Sequence, residues 1–175
     1  SLWWACVGGM ADPGMFPVRI ERPSVQPAGY AFAIWGLIYA WLLAHAAFGL
    51  LRRRDDPRFK RVALPLLLAS AFGAVWLAIA AAAPIWAEVI ILLMAVFAIT
   101  AYLWADPAQD RWLLAAPTAI FAGWLTAASA VSTGVLLSGY GVLSDTACAL
   151  AMLAVVLAVA LTIQIKRPGL PVYGA

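Results

Sequence analysis

Residues 27–51 read PAGYAFAIWGLIYAWLLAHAAFGLL, and RRRDDPRFKR follows at once. From 29 to 51 the run holds a single Asp, Glu, Lys, Arg or His side chain, His45. That length exceeds the roughly 20 apolar residues needed to cross a hydrocarbon core of about 30 Å. A backbone in lipid must satisfy its own N–H and C=O groups, so the run is a transmembrane helix. Phe32, Trp35 and Tyr39 stand at i, i+3 and i+7, which puts three rings on one stripe of it. Such a stripe is either packing or the wall of a pocket for a flat ligand.

The remainder is of the same kind. Hydrophobic residues make up 66% of the chain and charged residues 11%, against about 45–50% and about 25% in ordinary soluble domains. The longest polar stretches, 52–61 and the Pro-rich 11–28, are too short for a soluble domain. The 175 residues therefore form a single integral membrane domain, an all-α polytopic bundle. Five full spans are expected at about 29–51, 62–82, 85–104, 112–137 and 142–165. Pro65 falls in the first turn of the second, where a missing N–H costs least. Trp86 and Trp104 lie about 27 Å apart along a helix and suit two interfacial belts. The apolar run 2–10 is too short to cross and reads as a partial N-terminal span.

The net charge of +3 is no nucleic-acid signal, because six of the eleven basic residues sit beside one helix end. Basic loops set orientation. Placing 52–61 in the cytoplasm puts Arg111, Lys166 and Arg167 there too and leaves only Arg19 and Arg22 outside. The expected orientation has the basic loop and the C-terminus in the cytoplasm, with 11–28 capping the outer face. Small residues mark seams where helices approach closely. Ala147, Ala151, Ala154 and Ala158 form one stripe, and Ala69 with Gly73 a small-xxx-small pair. Both read as internal packing, with a homodimer or a larger membrane complex as the alternative.

Candidate chemistry is sparse. Glu88, in the first turn of its helix, suits the helix dipole, and His45 reads as a hydrogen-bonded structural residue. Cys6 and Cys148 form no CxxC pair and read as small packing residues. One His and two distant Cys cannot fill a tetrahedral metal shell. Phosphate-cradling loops and nucleophile elbows are absent from the sequence, so no enzymatic activity is expected. What stands out is nine Trp. Trp3, Trp4, Trp86, Trp104 and Trp112 suit interfacial anchoring, whereas Trp35, Trp76 and Trp124 fall deeper. Buried indoles need acceptors. An aromatic core and an aromatic pocket both remain open.

The segments PxxYxFxIWxxIY at 27–39 and PxxxFxGWLTAAS at 117–129, together with Trp76, resemble the tryptophan-rich sensory protein or translocator protein (TspO/MBR) family, in particular its longer bacterial relatives. The resemblance extends over about 27–137. It implies a helical bundle in a bacterial cytoplasmic membrane that binds tetrapyrroles such as haem and protoporphyrin, or sterol-like and drug-like ligands. Carried over by position, it implies a pocket walled by Tyr30, Phe32, Trp35 and Tyr39 and closed by Trp76 and Trp124. The chain departs from the family core in four places: one residue fewer separates Phe32 from Trp35, 71–75 contains no Asn, Ser132 stands about where a second Asn belongs, and a further span follows Tyr140.

Two functions compete at this level. One is a receptor or carrier for a small apolar ligand. The other is a structural subunit packed into a pigment-bearing or respiratory complex. A third, oxidative degradation of a bound porphyrin, rests on analogy alone.

Overall fold

The computed structural model describes residues 16–18, 23, 24, 28–108, 110–168 and 173; the partial span at 2–10 and Cys6 lie outside them. A 3-10 turn, Gly29–Ala33, leads into α1, Ile34–Arg52. Then come α2, Pro57–Ala80; α3, Pro84–Trp104; α4, Ala115–Gly139; and α5, Asp145–Lys166. All five are long and apolar enough to cross a membrane.

The helix ends follow from local chemistry, and they move three expected boundaries. Asp56 accepts a hydrogen bond from the Arg58 N–H at 2.9 Å, and Pro57 takes the first helical position. This cap and proline pair starts α2 five residues earlier than the apolar run alone suggests. The charged turn Arg58–Arg61 is therefore helical, and the basic loop shrinks to residues 53–56. Pro65 consequently lies inside α2, buried, and not in its first turn. Trp112 belongs to a turn before α4, where Leu113 and Leu114 donate to the Asp110 carbonyl and Asp110 takes φ 51°. Gly141, at φ 72°, closes α4: its N–H reaches Ser138 while that of Val142 reaches Leu137. These two bonds form a Schellman cap, which needs a left-handed residue where glycine is cheapest. Ser144 then caps α5 through the Ala147 N–H, three residues later than the hydropathy expectation.

Packing centres on α4, which lies between α3 and α5 and also carries α1, while α2 packs on α3. Residues 115–122 of α4 are buried without a break. From α3, Ile91, Met94, Ala95, Ala98 and Ala101 are buried at three- and four-residue spacing. Gly73 of α2 lets that helix come close, since a Cβ there would sit 3.1 Å from the Met94 methyl, and Phe72 stacks on Phe97 at 6.0 Å. The α5 alanine stripe does not work as expected. Ala154 and Ala158 are exposed, and the buried residues of α5 are Cys148, a free thiol, and Ile163. Ala147 and Ala151 are half-buried, while Leu150, Leu153, Leu157 and Leu161 are exposed as well. An apolar helix looks equally hydrophobic on every side, so its sequence does not mark which face packs inward.

The described parts of 11–28 lie on the α4–α5 turn. Val18 donates to the Gly139 carbonyl at 3.0 Å, Phe16 meets Tyr140 edge-on, and Ser24 hydrogen-bonds the Asp145 carboxylate.

Candidate functional site

On α1 the four-residue spacing of Trp35 and Tyr39 stacks their rings at 5.3 Å and 23°. α4 crosses this point and presents Trp124, whose ring meets Trp35 edge-on at 6.0 Å and 87°. Edge-to-face contact places the positive rim of one ring against the negative face of the other. Three of the six expected site residues thus form one cluster. Trp35 and Trp124 are half-buried, and Tyr39 opens the cluster outward at 58% exposure.

Within the cluster, the Trp124 indole nitrogen is buried and has no hydrogen-bond partner among the described residues. A buried donor left unmade costs about 1–3 kcal/mol.

The other three expected residues sit elsewhere. Trp76 faces the seam between α2 and α3, where its indole donates to the Ala87 carbonyl at 3.0 Å. Tyr30, on the 3-10 turn, is 84% exposed. Phe32, on the same turn, is half-buried. Since 3-10 geometry advances about 3.0 residues per turn, the regular helical stripe that sequence spacing draws through Phe32 begins only at Ile34.

His45 lies ten residues further along α1, towards the basic end. Its Nδ1 is 2.6 Å from the Leu113 carbonyl, and the ring stacks on Phe59 at 5.3 Å. A carbonyl only accepts, so the proton is on Nδ1 and the imidazole ties α1 to the turn before α4. Trp41 makes a parallel tie, donating to the Trp112 carbonyl at 2.7 Å. His45→Gln, which can still donate, is expected to keep stability within about 1 kcal/mol. His45→Leu strands the carbonyl and should cost about 1–3 kcal/mol. Unfolding in detergent checks both, and equal losses in the two variants would show that ring packing on Phe59 is what matters.

Glu88 is the fifth residue of α3, and its role is cross-helix instead of dipolar. Thr133 of α4 donates to its Oε1 at 2.5 Å, while Oε2 is buried without a partner among the described residues. Thr133 thereby continues a polar ladder on α4 in which Thr126 donates to the Ala122 carbonyl and Ser129 to that of Thr126.

Tyr173 and its contacts were not foreseen. Its hydroxyl lies 2.7 Å from that of Thr126, its ring stacks on Tyr102 at 5.7 Å, and it is buried. A side chain at Gly123 would collide with its carbonyl. No periodicity marks a lone tyrosine beyond the last span as a core residue. The alanine-glycine step Ala122–Gly123 was the one signal of a close approach.

At the basic end Arg53 forms a forked pair with Asp110, with Nε to Oδ2 at 2.7 Å and Nη2 to Oδ1 at 3.3 Å. That hydrogen bond, aided by the nearby negative charge, raises the pKa of the guanidinium further above its ordinary value.

The family model described as TSPO-like protein matches residues 21–173 of the chain. No curated protein and no solved structure matches it.

Proposed function

The chain belongs to the TSPO-like protein family, and from that premise we propose that it is a non-catalytic receptor or carrier for a flat apolar ligand, a tetrapyrrole such as haem or protoporphyrin or a sterol-like molecule. The ligand lies against Trp35, Tyr39 and Trp124 at the crossing of α1 and α4. The observation that carries this reading is the buried Trp124 N–H without an acceptor among the described residues, beside stacked rings of which Tyr39 is exposed. Ring faces supply area and dispersion, and the indole supplies one directional bond, which is how apolar pockets orient ligands. Trp76 and Tyr30 support the scaffold and the rim on this reading, and the wall contracts to three rings with Phe32 beside them. Titrating protoporphyrin against the purified protein and following Trp quenching tests it; an absence of saturable binding removes the reading.

A second reading is supported by α1 itself. Only Ile38 and His45 of that helix are buried, while Leu37, Leu43 and Leu50 are exposed. A helix so little covered suits a neighbouring helix in a homodimer or a larger membrane complex, where the chain is a structural subunit. Co-purification in mild detergent separates the two: a pigment or lipid on the first, protein partners on the second.

The orientation follows from charge, with the 53–56 turn and Lys166 in the cytoplasm. In intact cells an impermeant thiol reagent is expected to label Ser24→Cys and to leave Arg54→Cys unlabelled. The reverse pattern would invert the assignment.

A further inference from the structure

At the basic end, the first turn of α2 and the last turns of α3 and α5 surround a concavity of about 560 Å³, lined by Arg58, Arg61, Trp104, Asp106, Lys166 and Arg167 among others. Four cations thus face one carboxylate. Two of the four have assigned partners. Arg58 pairs with Asp106 at 3.3 Å. Arg167 donates to the Tyr102 carbonyl at 3.1 Å and to those of Leu103 and Ala105, capping the end of α3. The other two differ. Arg61 lies over the Trp104 ring at 5.4 Å, and neither it nor Lys166 pairs with a carboxylate among the described residues.

We propose that this concavity binds the phosphate headgroup of an anionic phospholipid, with Arg61 and Lys166 as its charge-pairing residues. Three observations select a lipid over a free ion. The site lies at the membrane-facing ends of three spanning helices, at the depth where a headgroup sits. Trp104, exposed beside it, is an interfacial residue type. The apolar surface continues away from both cations: Leu64 lies one turn beyond Arg61, while Ile165 precedes Lys166 with Leu161 a turn behind, and all three are exposed. Acyl chains have a surface to follow there, which a free phosphate does not use. Basic pockets between helices at this level recognise lipid headgroups through such paired cations.

The test uses the whole protein in a zwitterionic detergent, titrated with phosphatidylglycerol and with phosphatidylcholine of the same chain length, bound lipid being counted by native mass spectrometry. Each cation near the headgroup contributes about fivefold in affinity, so the double variant R61Q/K166Q is expected to bind phosphatidylglycerol about thirtyfold more weakly and phosphatidylcholine unchanged. The double variant R52Q/R54Q removes equal charge from the neighbouring turn, outside this concavity, and should stay within about twofold of the parent. Neither double variant removes an ion pair seen among the described residues, and R61Q gives up only the exposed contact with the Trp104 ring, so both should stay close to the parental melting temperature. Equal losses in both variants would reduce the effect to diffuse surface charge and overturn the proposal. So would a parent protein that does not distinguish the two lipids. Displacement of phosphatidylglycerol by an equal concentration of inorganic phosphate would assign the site to the free ion.

Discussion

Trp124→Phe is expected to weaken protoporphyrin binding by about tenfold or more while leaving the bundle as stable as before, or slightly more so. The substitution keeps an aromatic ring against Trp35 and deletes only the indole N–H, which finds no acceptor within the described chain. An unmet buried donor costs about 1–3 kcal/mol, so folding gains from its removal, whereas a ligand that supplies the acceptor loses a bond of similar worth. Stability and affinity therefore move in opposite directions, which no merely structural tryptophan would do. Trp124→Ala adds the loss of the edge-to-face contact, about 0.5–1.5 kcal/mol beyond area burial, and should cost both affinity and stability. Trp35→Ala removes the stacking partner of Tyr39 and should lower affinity comparably. Trp quenching and thermal unfolding on the same samples provide both readouts. A Trp124→Phe protein that binds as tightly as its parent places the indole N–H outside the site, and with it the chief support for the receptor reading.

Ala119→Leu is expected to destabilise the bundle strongly, and Ala158→Leu to leave it unchanged. Both are alanines on spanning helices, and hydropathy cannot tell them apart. Ala119 is fully buried in the second turn of α4, the helix that contacts α1, α3 and α5. A larger side chain there must push helices apart, at a cost of about 1–3 kcal/mol or more. Ala158 is exposed on α5 and a leucine there meets lipid, so the change should stay within about 0.5 kcal/mol. Denaturant unfolding in detergent measures both. A large loss at Ala158 would mean that the α5 stripe is covered in solution by a second copy or another subunit.

The spans, their number and the membrane class were legible in the sequence because crossing a hydrocarbon core demands a long uncharged run, and length survives any arrangement of the helices. The Trp35–Tyr39 stack was legible too, since four residues along one helix bring two side chains together whatever surrounds them. His45 as a structural residue could be read from its isolation on its helix. Helix starts were less readable: hydropathy placed α2 at Val62, while the Asp56–Pro57 cap, a local signal in a charged segment, places it at Pro57.

Only the tertiary structure decided which faces meet. In a soluble protein, polar residues mark the outside of a helix. Here lipid and core are equally apolar, so periodicity carries no such mark. That is why Ala154 and Ala158 of the α5 stripe were expected inside and lie outside. It is also why Trp76 and Trp124, both deep tryptophans by position, part company: α3 offers Trp76 the Ala87 carbonyl, while α1 offers Trp124 the Trp35 ring, and its indole nitrogen finds no acceptor among the described residues. Tyr173, Arg167 and the Thr133–Glu88 bridge depend on partners 40 to 70 residues away in the chain. Segment length in an apolar solvent is a property of the chain alone, whereas the assignment of each apolar face to lipid or to a neighbour exists only once the helices have packed.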